Sequence, residues 1–116
     1  MLLFLFSISR ADDYTPWENY LMELYEDEED DAYNFQTAYE QLIELQKSPI
    51  DINTADVTDF SQIPGLDINI INDIIEYRDK FGHLQTITEL ALIPSIDDRL
   101  RNYLSCFLFI AKDNTK

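Results

Sequence analysis

Carboxylates are the main chemical groups this chain has to offer. Its 116 residues carry 23 Asp and Glu against eight Lys and Arg, a formal charge of −15, with one His (His83) and one Cys (Cys106). The densest cluster, Glu26-Asp27-Glu28-Glu29-Asp30-Asp31, has the oxygen ligands calcium accepts. Calcium loops, however, alternate their carboxylates around a sharp-turn glycine and close with a bidentate Glu. Six contiguous acids without a nearby glycine make a solvated, self-repelling turn, so no metal is assigned. A single His and a single Cys exclude multi-histidine sites, cysteine-based zinc and an internal disulfide. Two glycines leave no room for a glycine-rich nucleotide loop, and no Ser/His/Asp set is present, so the chain reads as a non-enzyme with no cofactor. The net charge also argues against generic DNA coating and against binding to anionic membranes, since both need a cationic face.

A second group of polar residues takes its meaning from an internal repeat. Asp56–Asp67 aligns with Thr86–Asp97 at a constant offset of 30, with four of twelve positions identical. In each copy an N-cap acceptor stands three residues before an acid, Asp56 with Asp59 and Thr86 with Glu89, the pattern of a capping box. Each short helix then runs into an apolar-Pro turn and a new Asp. These turns are Ile63-Pro64-Gly65-Leu66-Asp67 and Ile93-Pro94-Ser95-Ile96-Asp97, and Asp67 and Asp97 can cap the helices that follow. Ile68, Ile71, Ile74, Ile75 and Arg78 mark the first of those helices, with Gly82 as its terminator; Leu100, Leu104, Phe107 and Leu108 mark the second. Neither helix-turn-helix unit can bury its apolar face alone, so the two are expected to pack as a small pseudo-twofold bundle.

The elements ahead of the repeat are of a different kind. Residues 1–46 hold twelve acidic residues and one basic one (Arg10), a net of −11, against −4 for residues 47–116. Ser48-Pro49 marks the boundary, because proline ends the preceding helix. Thr15-Pro16-Trp17-Glu18 is a capping box with proline at the first helical position. Trp17, Leu21, Leu24 and Tyr25 form one apolar stripe, and Phe35, Ala38, Tyr39, Leu42 and Leu45 a second. Residues 12–47 thus read as an acidic helical hairpin whose tyrosines (Tyr20, Tyr25, Tyr33, Tyr39) either pack on the second half or serve an interface. Residues 1–11 read as a signal peptide or its remnant: Leu2 to Ile8 are apolar, and Ser9-Arg10-Ala11 places small residues at the −3 and −1 positions of a cleavage site. The run is far shorter than the about 20 apolar residues a membrane span needs. Residues 48–110 form the repeat domain and 111–116 a tail, giving an all-α chain with the acidic hairpin packed on the two units.

The repeat resembles the tandem helix-hairpin-helix modules of the competence protein ComEA and its relatives. Ile52-Asn53-Thr54-Ala55 is similar to the segment leading into such modules, and Ile63-Pro64-Gly65-Leu66 to their first hairpin. Tyr77-Arg78, Gly82, Leu84, Thr86 and Glu89-Leu90 are similar to the connector between copies. The acidic arm also resembles the start of longer envelope proteins that carry these modules just after a signal peptide. The resemblance implies an exported protein and sequence-independent binding of double-stranded DNA, as in DNA uptake. In that family the hairpins read Gly-apolar-Gly, which lets backbone amides approach a phosphate at a helix N-terminus.

Here the phosphate chemistry is degenerate. The hairpin positions are Gly65, Leu66 and Asp67 in one unit and Ser95, Ile96 and Asp97 in the other. A capping Asp occupies the amides that would receive phosphate and adds like charge, worth about 1 kcal/mol of repulsion at 4 Å in water and about 4 at an effective dielectric of 20. Arg99 and Arg101 are the remaining phosphate-contact candidates; the alternative is that they pair with Asp97 and Asp98, as Arg78 would with Glu89. Cys106 reads as a small core hydrophobe. The expected function is a non-enzymatic scaffold or protein-interaction domain. Its partner would be another protein or the rest of a larger envelope protein, and duplex DNA binding is the alternative.

Overall fold

The computed structural model describes residues 16–26 and 31–112, with side chains described over 17–26 and 34–112. The 1–11 segment, the Thr15 end of the first capping box, residues 27–30 of the acidic run and the Tyr33 side chain lie outside the described residues. Among those described, the order is α1 (Pro16–Leu24), α2 (Asp31–Lys47), β1 (Ile50–Asp51), α3 (Val57–Phe60), α4 (Ile68–Phe81), a 3-10 helix (Ile87–Leu92), α5 (Asp98–Leu104) and β2 (Leu108–Phe109). The fold is all-α, apart from one short parallel pair in which Ile50 faces Leu108 and Asp51 faces Phe109. That pair joins the lead-in of the first unit to the exit of the second, a closure that the periodicity did not announce. No helix among the described residues is long and apolar enough to cross a membrane.

The repeat is visible in the core. At the offset of 30, Phe60 and Leu90, Ile63 and Ile93, Leu66 and Ile96, and Ile74 and Leu104 are all buried. Gly82 ends α4 at φ +89, as its position predicts. In the first unit the capping box closes both ways: Asp59 N–H donates to Asp56 Oδ1 at 2.9 Å and Asp56 N–H to Asp59 Oδ2 at 3.0 Å. In the second it does not. Thr86 makes no side-chain cap; its hydroxyl lies 2.8 Å from that of Thr88. Glu89, one methylene longer than Asp59, instead accepts from Gln85 N–H at 2.7 Å and from the Tyr77 hydroxyl at 3.0 Å. The segment is correspondingly a 3-10 helix.

Three further expectations change. α5 ends at Leu104, so Phe107 and Leu108 lie beyond the helix they were expected to mark, Leu108 in β2. Ile68 is half exposed, because the buried face of α4 centres on Ile71 and Ile74; six residues at about 100° each put Ile68 about 120° round the helix from Ile74. Arg78 does not pair with Glu89. Its guanidinium donates to the carbonyls of Ile52 at 3.0 Å and Ala55 at 2.8 Å, tying the lead-in segment to α4. Asn53 completes that tie, exchanging two hydrogen bonds with the backbone of Leu84 at 2.8 and 3.0 Å.

The arm joins this core. Trp17 and Leu21 of α1, and Ala38, Leu42 and Leu45 of α2, are buried in the same cluster as the repeat. Tyr20, Tyr25 and Tyr39 are half-buried and pack against it, so the described tyrosines of the arm serve intramolecular packing. Trp17 lies 5.2 Å from the Tyr39 ring and 5.8 Å from Phe107, one contact to α2 and one to the repeat. Cys106 is half-buried against the core, and burial pushes its thiol pKa up.

Candidate nucleic-acid interface at the two hairpins

Each hairpin is closed by the same backbone bond: Leu66 N–H to Ile63 O at 3.2 Å, and Ile96 N–H to Ile93 O at 3.0 Å. Gly65 sits at φ +88, the type II geometry that Pro-Gly favours. Ser95 has no positive φ, so the second turn is built without that geometry. Leu66 and Ile96, between the polar hairpin positions, are buried anchors rather than contact residues.

The helix-end amides are already engaged. Asp67 Oδ1 accepts from Asn69 N–H at 3.0 Å and Ile70 N–H at 3.1 Å, and Asp97 Oδ1 accepts from Leu100 N–H at 2.8 Å. These are the donors that a phosphate would have to claim, and each is held by a carboxylate of the same sign.

Each hairpin is also latched by the second helix of the other unit. Tyr103 of α5 donates its hydroxyl to Pro64 O at 2.6 Å, and its repeat counterpart, Asp73 of α4, accepts from Ser95 Oγ at 2.7 Å. Burial pushes the Tyr103 hydroxyl pKa far up, so the first latch stays protonated throughout the working pH range.

The arm reaches the first hairpin. A Cβ on Gly65 would stand 2.6 Å from Leu24 Cδ1, so α1 rests on the bare Cα. Tyr20 stacks on Tyr103 with centroids 4.4 Å apart. The Arg99 guanidinium lies 5.3 Å over the Tyr20 ring and pairs with Glu23 of the same helix. Arg101 pairs with Asp98 at 2.9 Å. Of the two phosphate-contact candidates, Arg101 thus has the local partner expected of it. Arg99 goes instead to the arm, because α1 crosses α5 there. Glu23 and Tyr103 were missed by reasoning from sequence, and Leu24 and Tyr20 were legible as packing residues but not as neighbours of the hairpin. The stripe on α1 signalled that the helix packs, but nothing in it specified the surface.

Residues 45–108 match the helix-hairpin-helix motif family. The chain belongs to that family. No curated protein and no solved structure matches it. Helix-hairpin-helix motifs generally serve as nucleic-acid-binding or interaction modules, and this member carries both hairpins with their helix ends capped from within. The match begins at Leu45, in the last turn of α2, and ends at Leu108 in β2. It therefore includes β1 and the first residue of β2, the Ile50–Leu108 half of the strand pair that closes the two units on each other.

Proposed function

We propose that this helix-hairpin-helix chain is a non-enzymatic, ComEA-like module of an exported protein, acting as a scaffold or protein-interaction domain rather than as a DNA clamp. The observation that carries the reading is the first hairpin, the copy that keeps a glycine. Asp67 holds the amides of Asn69 and Ile70 there, while Leu24 lies on the Gly65 Cα across which a phosphate would approach. Arg99, engaged by Glu23, adds no free cation beside it. The net charge of −15 opposes a polyanion at long range. The apolar leader Leu2 to Ile8 with Ser9-Arg10-Ala11 supports export. Sequence-independent duplex DNA binding, which family membership favours, is the competing reading.

Fluorescence anisotropy of a labelled DNA duplex with the full chain tests the choice, at low and at physiological salt. Non-specific duplex binders have Kd values of about 10⁻⁴ to 10⁻⁶ M at physiological salt, and their affinity falls as salt rises. The unmodified chain is expected to bind more weakly than that range, and Asp67→Gly/Asp97→Gly to bring binding into it by freeing the helix-end amides. Salt-sensitive micromolar binding by the unmodified chain would replace this reading with the DNA one.

A further inference from the structure

The repeat gives the molecule two equivalent grooves, and only one is filled. At the first hairpin, Tyr103, Phe107, Pro64 and Gly65 form a cleft into which α1 inserts Trp17, Tyr20 and Leu24. Moved by 30 residues, those four positions become Asp73, Tyr77, Pro94 and Ser95. All four line one open groove of about 410 Å³ between α4 and the second hairpin. Nothing among the described residues plays the part of α1 there. Phe81 and Leu92, which also line it, are 67% and 66% exposed, the two most exposed large apolar side chains among those described. Adjacent exposed apolar groups of this kind mark an interaction surface.

We propose that this groove receives an amphipathic helix from a partner protein, docked as α1 docks on the first hairpin, with a basic residue facing α4. The inference rests on the interaction-module reading and names its surface. Counterpart positions supply the chemistry. Where α1 sets Tyr20 against Tyr103, the open groove presents Asp73, and Glu76, the repeat counterpart of Cys106, also lines it. Glu89, holding the Tyr77 hydroxyl at 3.0 Å, adds a third carboxylate beside the groove. The one cation in the lining is Lys80, whose ammonium lies 5.8 Å from the Phe81 ring centroid. The occupant thus needs apolar residues at i, i+4 and i+7, as Trp17, Leu21 and Leu24 are spaced, and Lys or Arg at i+3, where α1 has Tyr20. A second copy of this chain fits poorly: each copy carries −15, and α1 brings Glu18 and Glu23.

A stapled peptide with the α1 sequence carrying Tyr20→Arg, Glu18→Gln and Glu23→Gln is the probe, and the same peptide with Tyr20→Glu is its control. Anisotropy with the full chain should show the Arg peptide binding at least about tenfold more tightly, a 1.4 kcal/mol preference. Backbone amide NMR shifts should concentrate at residues 73–81 and 92–95. Phe81→Ser and Leu92→Ser, both exposed and checked for an unchanged melting temperature, should each weaken the Arg peptide by about tenfold or more. Glu76→Lys should reduce the preference for Arg over Glu. Equal binding of the two peptides, no binding, or shifts confined to residues 63–66 and 103–107 would overturn the proposal. So would sedimentation showing a dimer lost in Phe81→Ser, since the occupant would then be a second copy. These failures leave the interaction-module reading standing, because only duplex binding by the unmodified chain removes that one.

Discussion

The two hairpins start from nearly the same local sequence and end in different surroundings. Both close the same turn, both cap the next helix with Asp, and each is latched by the other unit's second helix. The first lies under α1, with Leu24 on Gly65; the second borders an open groove with Phe81 and Leu92 exposed. The difference lies in two pairs of counterpart residues as much as in the arm. Tyr103 and Phe107 offer α1 an aromatic bed, whereas Asp73 and Tyr77 offer half of one and a charge. A duplicated fold therefore becomes asymmetric through what each copy can attract. In this chain the attraction acts on the family's own binding feature.

The most severe way to break the comparison is to undock α1. Trp17→Ala should destabilise the chain by about 3–5 kcal/mol in chemical denaturation, since the fully buried ring bridges Tyr39 and Phe107. Leu92→Ala, at an exposed position lining the open groove of the second unit, should stay within about 0.5 kcal/mol. Equal losses would mean that the two copies are covered alike.

The counterpart turn positions sharpen the contrast at smaller scale. Gly65→Ala combines positive-φ strain with a 2.6 Å approach to Leu24, and should cost about 2 kcal/mol. Ser95→Ala removes one exposed hydrogen bond to Asp73 and should cost about 1 kcal/mol or less. If Gly65→Ala/Leu24→Ala recovers none of the Gly65→Ala loss, the contact with the arm is irrelevant and backbone strain alone is responsible.

The smallest effect concerns the failed capping box. The Gln85 backbone N–H, with the Tyr77 hydroxyl and the Thr86 N–H, holds the Glu89 carboxyl pKa below its ordinary 4.5. A carboxylate with a lowered folded-state pKa stabilises fully above its unfolded value, and that contribution is lost as pH falls through the folded one. Stability should therefore decline as pH drops below about 4.5, and a stability-versus-pH series for Glu89→Gln should show a shallower decline there. An identical slope in the variant would remove Glu89 from the acid response.

Much of the fold was readable from spacing. The offset of 30 gave the two units and the caps at Asp67 and Asp97, because capping and 3.6-residue periodicity are local and leave their mark in adjacent residues. Arg78 shows where that legibility ends. It was matched to Glu89 on charge alone, yet two lead-in carbonyls at Ile52 and Ala55 offer it better geometry. Backbone acceptors carry no signature in a sequence. The six hairpin positions and the two arginines beyond the second hairpin were likewise legible as positions, while the partner of Arg99 was not, since Glu23 lies 76 residues away in the chain.

The sequence by itself determined that the chain is all-α, acidic, twice repeated and internally capped at both hairpins, since each of those properties is settled within a few residues. Only the tertiary structure decided which copy the arm covers and which groove stays open. Those outcomes depend on the shape and charge of surfaces that distant segments build together, and α1 takes the aromatic cleft of Tyr103 and Phe107 over the acidic one of Asp73 and Glu76.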